Sequence, residues 1–210
     1  MIDPTNITNF NLSDKQLEEV ILFWICAAGK NAIVAASSLD RLLNQICEKK
    51  HSPFESIRNL NKNKLPNLLK NFGIGCYNNK AKTFWDLSNS GISLRTCSAN
   101  DLENIYGIGM KTSRCFIIHS RKNAKYAGLD VHILKFMKLL GYDVPKSTPI
   151  GKKYLYLEKE FLRKIEGFGK PVAEIDLLIW NHFSQHKNVN EDISNFFDFV
   201  GLKEEALINV

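Results

Sequence analysis

The chain has 210 residues, of which 44% are hydrophobic and 24% charged, with a formal net charge of +6. This ordinary globular composition excludes a wholly disordered, collagen-like or coiled-coil chain. No apolar run approaches the roughly 18 residues of a membrane span, and Met1-Ile2-Asp3-Pro4-Thr5 lacks the basic flank and apolar stretch of a secretion signal, so an intracellular protein is expected. The five cysteines form no CxxC pair; buried free thiols are expected rather than a zinc or iron–sulfur site. From Arg58 to Lys125, twelve basic residues stand against Asp86, Asp101 and Glu103. That asymmetry suits a polyanionic partner and, on charge alone, equally a solvated basic face.

Helical periodicity dominates and alternating runs are almost absent, so the expected class is all-α. Ser13 caps a first helix carrying Leu17, Val20, Ile21, Trp24 and Ile25 up to Gly29, and a second begins near Asn31 and runs through Ile46. His51-Ser52-Pro53 closes that pair. Two short helices follow around Ile57 to Leu69, then one from about Asn78 to Leu87. Ser98 with Asp101 forms a capping arrangement ahead of Leu102, Ile105 and Tyr106. Further helices are expected from Met110 to Arg121, from Asp130 to Leu140, from Gly151 to Ile165 and from Pro171 to Phe183. Ile193, Phe196, Phe197 and Val200 could form one more.

The sharpest local feature is Leu102 to Thr112, a helix, a Gly107-Ile108-Gly109 turn and a second helix. Two glycines flanking an aliphatic residue let the chain reverse tightly, expose backbone N–H groups and bury Ile108 as an anchor. Such donors at a helix start suit a nucleic-acid phosphate, and a plain helical hairpin is the alternative. Lys111 stands in the first turn, where the positive end of the macrodipole disfavours an ammonium, so it can be either a nucleophile or a phosphate contact. Asp130 follows 19 residues later at the next helix start, as a catalytic carboxylate or as an N-cap.

Together, Leu102 to Thr112 and Leu129 to Ile133 resemble the helix-hairpin-helix DNA glycosylase superfamily, which contains endonuclease III and the 8-oxoguanine glycosylases. Asp130-Val131-His132 resembles the 8-oxoguanine glycosylases more closely. Gly75 to Lys82 is similar to the family segment where a helix start approaches DNA. Ile25 to Asn31 resembles the inter-helix loop that fills the hole left by an extruded nucleotide, and Glu174 to Trp180 the C-terminal helix of the small archaeal-type enzymes. The likeness covers roughly residues 15 to 183, while the chain runs on to Val210.

The resemblance implies two closely packed helical lobes with the active site in the cleft between them. It also implies a glycosylase core over 1–183, with the hairpin at 98–121 and an extension over 184–210. The implied activity is a base-excision DNA glycosylase with associated AP lyase activity on an oxidised purine, foremost 8-oxoguanine. The same chemistry on another base, and a noncatalytic DNA-binding domain, are the alternatives. Lys111 would be the nucleophile and Asp130 the second catalytic group. Gly107, Ile108, Gly109 and Thr112 would hold the DNA backbone, with Tyr77, Asn78, Lys80 and His132 as further contacts. Lys30 and Asn31 would occupy the vacated gap, Asn31 being equally placed to cap its helix. Trp180 would stack on the extruded base or simply pack; Trp24 and Trp85 are assigned to packing. No iron–sulfur cofactor or catalytic metal is implied, although the hairpin could hold a monovalent ion. The expected partner is damaged double-stranded DNA, bound by a monomer in the cytoplasm or at the nucleoid.

Overall fold

The computed structural model describes residues 2–48, 50–185 and 193–201. Its elements are α1 (Asp14–Ala27), α2 (Ala32–Ile46), α3 (Pro53–Asn59), α4 (Leu65–Asn71), α5 (Tyr77–Ser88), α6 (Ala99–Glu103), α7 (Met110–Ser120), α8 (Val131–Leu139), α9 (Gly151–Ile165), α10 (Val172–Gln185) and α11 (Ile193–Val200). No strand occurs among the described residues. Several of these helices start at side chains that satisfy orphaned N–H groups. Full capping boxes stand at Ser13 with Gln16, Ser52 with Glu55 and Ser98 with Asp101. The first two helices end before Ser52-Pro53, as expected, and Ser52-Pro53 also opens α3: proline at the first helical position needs no N–H partner.

The chain divides into two compact units, Met1–Phe116 and Ile117–Val210, with the boundary inside α7. In the first, α1 packs along α2, and α5 lies on α3 and α4. Leu22, Leu42, Ile57, Leu69, Phe84 and Leu102 are fully buried there, each worth about 1.5–3 kcal/mol in apolar burial. In the second unit, α8, α9 and α11 all pack on α10. Its core is aromatic: Phe136 meets Phe161 and Phe196 edge-on, and Phe196 stacks parallel to Phe183. The expected amphipathic helix from Ile193 to Val200 is α11, with Phe196 and Phe197 buried. Within the expected extension, 186–192 and 202–210 lie outside the described residues.

No described helix is long and apolar enough to cross a membrane. The cysteines divide in a way the sequence did not indicate. Cys26, Cys97 and Cys115 are buried free thiols, whereas Cys47 is half-buried and Cys76 exposed. Cys76 precedes α5 as its N-cap in a left-handed conformation, φ 55°.

Candidate active site and nucleic-acid interface

The turn of the hairpin belongs to the first unit and is fixed from both sides. Ile108 is buried as the anchor of the turn, and its N–H closes the turn on Ile105 O at 3.1 Å. That N–H is therefore engaged within the protein. The N–H groups available by helix geometry are those of the first turn of α7, at Met110, Lys111 and Thr112. Gly107 has φ +83°, and a Cβ there would lie 2.1 Å from Thr83 Oγ1, so α5 and the turn approach as closely as glycine allows. A Cβ on Gly109 would meet nothing within 4 Å, leaving open space at the mouth of α7. Behind the turn, Glu103 accepts from Ser113 Oγ at 2.8 Å and forms an ion pair with the buried Arg114, tying α6 to α7. Thr112, expected at the DNA, is buried.

Lys111 is half-buried, and its ammonium lies over the ring of Trp24, 4.8 Å from the centroid. Trp24 is thus more than a packing residue, since its ring face holds the lysine. Tyr106, exposed just before the turn, donates its hydroxyl to Asn79 Oδ1 at 3.2 Å and carries the Lys82 ammonium over its ring at 4.5 Å. Asn78 is exposed beside them, and Tyr77 is half-buried with Lys70 over its ring.

The loop between α1 and α2 presents Lys30 and Asn31, both exposed. Asn31 is the N-cap of α2, accepting from Val34 N at 3.1 Å. Lys80 differs from its expected place: it is buried, and its ammonium donates to Cys26 O at 2.7 Å and Ala28 O at 3.4 Å. Burial holds its pKa below the ordinary lysine value. The same burial pushes the Cys26 thiol up to about 12.

In the second unit, Asp130 is the N-cap of α8, and its Oδ1 accepts from both His132 N and Ile133 N, at 2.9 and 3.0 Å. The segment before it is held from beneath. The Tyr154 hydroxyl donates to Ala127 O at 2.7 Å and accepts from Leu129 N at 3.0 Å. The buried Glu158 carboxylate accepts from Ala127 N at 2.9 Å, and Thr148 donates to Leu129 O at 3.0 Å. Helical periodicity places Tyr154 on the apolar face of α9 but does not indicate its supporting role or that of Glu158; the available signal was a carboxylate one turn after that tyrosine. His132 meets Trp180 edge-on, with centroids 6.3 Å apart, and both are half-buried. On the face of α10 one turn before Trp180, Asp176 Oδ1 lies 3.0 Å from Nε2 of the buried His119. No cluster of three or more metal-ligating side chains occurs among the described residues.

No family model matches the chain. Over 82 residues it is 39% identical to an 8-oxoguanine DNA glycosylase/AP lyase of Thermotoga sp. (strain RQ2), a stretch covering 38% of each chain. The solved 8-oxoguanine DNA glycosylase of Thermotoga maritima superposes with a TM-score of 0.63 at 22% identity, over 85% of this chain and 84% of that one. The Methanocaldococcus jannaschii 8-oxoguanine glycosylase/lyase in complex with DNA containing 8-oxoguanine gives 0.61 at 21% identity, over 85% and 86%. The fold is that of the helix-hairpin-helix DNA glycosylases. Within the glycosylase fold, the hairpin is α6–turn–α7, and Asp130 opens α8.

Proposed function

We propose that the protein is a bifunctional DNA glycosylase and AP lyase that removes an oxidised purine, foremost 8-oxoguanine opposite cytosine, from duplex DNA at the nucleoid. The observation that carries this reading is Lys111, in the first turn of the helix behind a glycine hairpin and held on an aromatic face. A pure binding module needs phosphate donors at that place but no presented amine. The names of the matched relatives and the DNA complex among the structural neighbours support the substrate class.

In the proposed reaction the target nucleotide leaves the stack, because the glycosidic bond is hidden in the duplex. The first-turn N–H groups of α7 hold the backbone while Lys30 and Asn31 enter the gap. The Lys111 ammonium first gives up a proton to solvent; its amine then attacks the anomeric carbon as the damaged base departs with its electron pair and takes up a proton, and the Asp130 carboxylate stabilises the positive charge on the sugar. Ring opening gives a Schiff base between Lys111 and the sugar. This acidifies the neighbouring sugar proton, whose loss expels the 3′ phosphate. Lysine and carboxylate suffice for these steps, so no cofactor enters the proposal.

Borohydride trapping on abasic duplex DNA tests the reading. The expected result is a covalent adduct that disappears in Lys111→Gln. DNA retention without an adduct would indicate binding alone. A panel of single-lesion duplexes tests the base: release of an oxidised pyrimidine with 8-oxoguanine left intact would overturn the substrate assignment.

A further inference from the structure

The geometry points to Lys80 as a positioning residue that clamps the α1–α2 loop to the start of α5, so that residues 28–31 and 75–79 present one preorganised edge to the DNA. This inference rests on the glycosylase reading for its consequence, but the clamp itself is a property of the free protein. The last carbonyls of a helix lack intrahelical partners and carry the negative end of its dipole, so a cation there is favoured. Helix α1 has no basic residue in its own last turn. The cation comes instead from α5: Lys80 Nζ donates to Cys26 O, within the last turn of α1, and reaches Ala28 O at its C-cap.

A second contact joins the same two segments from the other direction. The end of the Lys30 side chain lies against Gly75, where an added Cβ would fall 2.3 Å from Lys30 Cε and 2.6 Å from Nζ. Thus α5 sends one lysine under the loop and the loop sends one lysine over the start of α5. Between these ties the loop keeps Ala28, Gly29, Lys30 and Asn31 exposed. A loop that must replace an extruded nucleotide loses less conformational freedom on binding when it is already fixed in the free protein. Lys80 therefore contributes by ordering its neighbours, without itself touching phosphate.

The test uses Lys80→Met, which keeps most of the buried stem, and Gly75→Ala, which displaces only the flexible end of Lys30. In the free protein, Lys80→Met should raise hydrogen exchange at amides 28–31 about tenfold, the effect expected from losing a charge-assisted hydrogen bond. Wild-type protection there would overturn the clamp whatever the enzyme does. In single turnover, Lys80→Met should slow excision of paired 8-oxoguanine about tenfold, while borohydride trapping on preformed abasic DNA changes by less than about twofold, since no base remains to be unstacked. Equal slowing of both reactions would reduce Lys80 to a general structural role and overturn the inference. Gly75→Ala should slow excision about threefold with unchanged melting, by misplacing a gap-filling side chain. Unaltered excision would remove the second tie. Failure of the wild type to form any adduct would refute the glycosylase reading and leave the exchange result to decide the clamp.

Discussion

The contacts seen around Lys111 and Asp130 differ in kind. One contact of the lysine ammonium is the face of a half-buried indole, an attraction with little directional preference. The aspartate is the cap of α8, and the residues leading to it are fixed by a buried tyrosine, a buried glutamate and a threonine. In the proposed reaction the nucleophile must travel to form a bond and then remain attached as the sugar opens, and an aromatic face tolerates such movement. A carboxylate that stabilises developing charge acts only if it does not move, because reorganisation at the moment of reaction cancels the benefit.

The contrast breaks most visibly at the carboxylate. Asp130→Asn, which preserves a capping oxygen, should lower single-turnover excision by roughly 10²–10³-fold, the scale of losing a preorganised electrostatic group. DNA affinity measured by fluorescence anisotropy should barely change, and equal losses would show that Asp130 only organises α8. Next in size is Tyr154→Phe, expected to cost about tenfold in rate through misplacement of residues 127–130. It should also remove about 1–3 kcal/mol of stability in urea, because Leu129 N–H loses its buried partner.

Gly107→Ala should cost about 1–3 kcal/mol from the left-handed backbone alone, with the Thr83 clash added. Thr83→Ala in the same chain should recover only the clash, so full recovery in a melting experiment would contradict the backbone part. Trp24→Leu should slow adduct formation by about two- to fivefold, the lower end of the range for a cation–π contact. A loss exceeding that of Asp130→Asn would invert the comparison.

A further effect appears only at alkaline pH. Burial lifts the Cys26 thiol from 9.0 to about 12, so the folded state favours the protonated form. That contribution is complete below pH 9 and is lost as pH rises toward 12, as the thiolate becomes available only to the unfolded chain. Urea titrations should show a shallower alkaline decline in Cys26→Ala, and iodoacetamide at neutral pH should label the exposed Cys76 well before Cys26.

What was legible in the sequence is short in range. The three capping boxes, the hairpin with its buried Ile108 and the start of α8 at Asp130 all lie within a few residues of their causes. The supports were not legible, because their partners are far apart along the chain. Lys80 reaches back 54 residues to Cys26, and Glu158 reaches back 31 to Ala127. Periodicity places both side chains on a helix face but says nothing of which backbone group waits there. Lys80 in particular has the composition of a phosphate contact and the environment of an internal cap.

The aromatic seam joining α11 to α8 and α10 bears on how this protein can be shortened. Trimming after residue 183, to match a more compact outline, would strip away Phe196 and leave the rings of Phe136 and Phe183 facing water. A shortened chain of that kind would tend to self-associate through the uncovered rings, and its loss of activity would report a torn interior rather than a missing catalytic group.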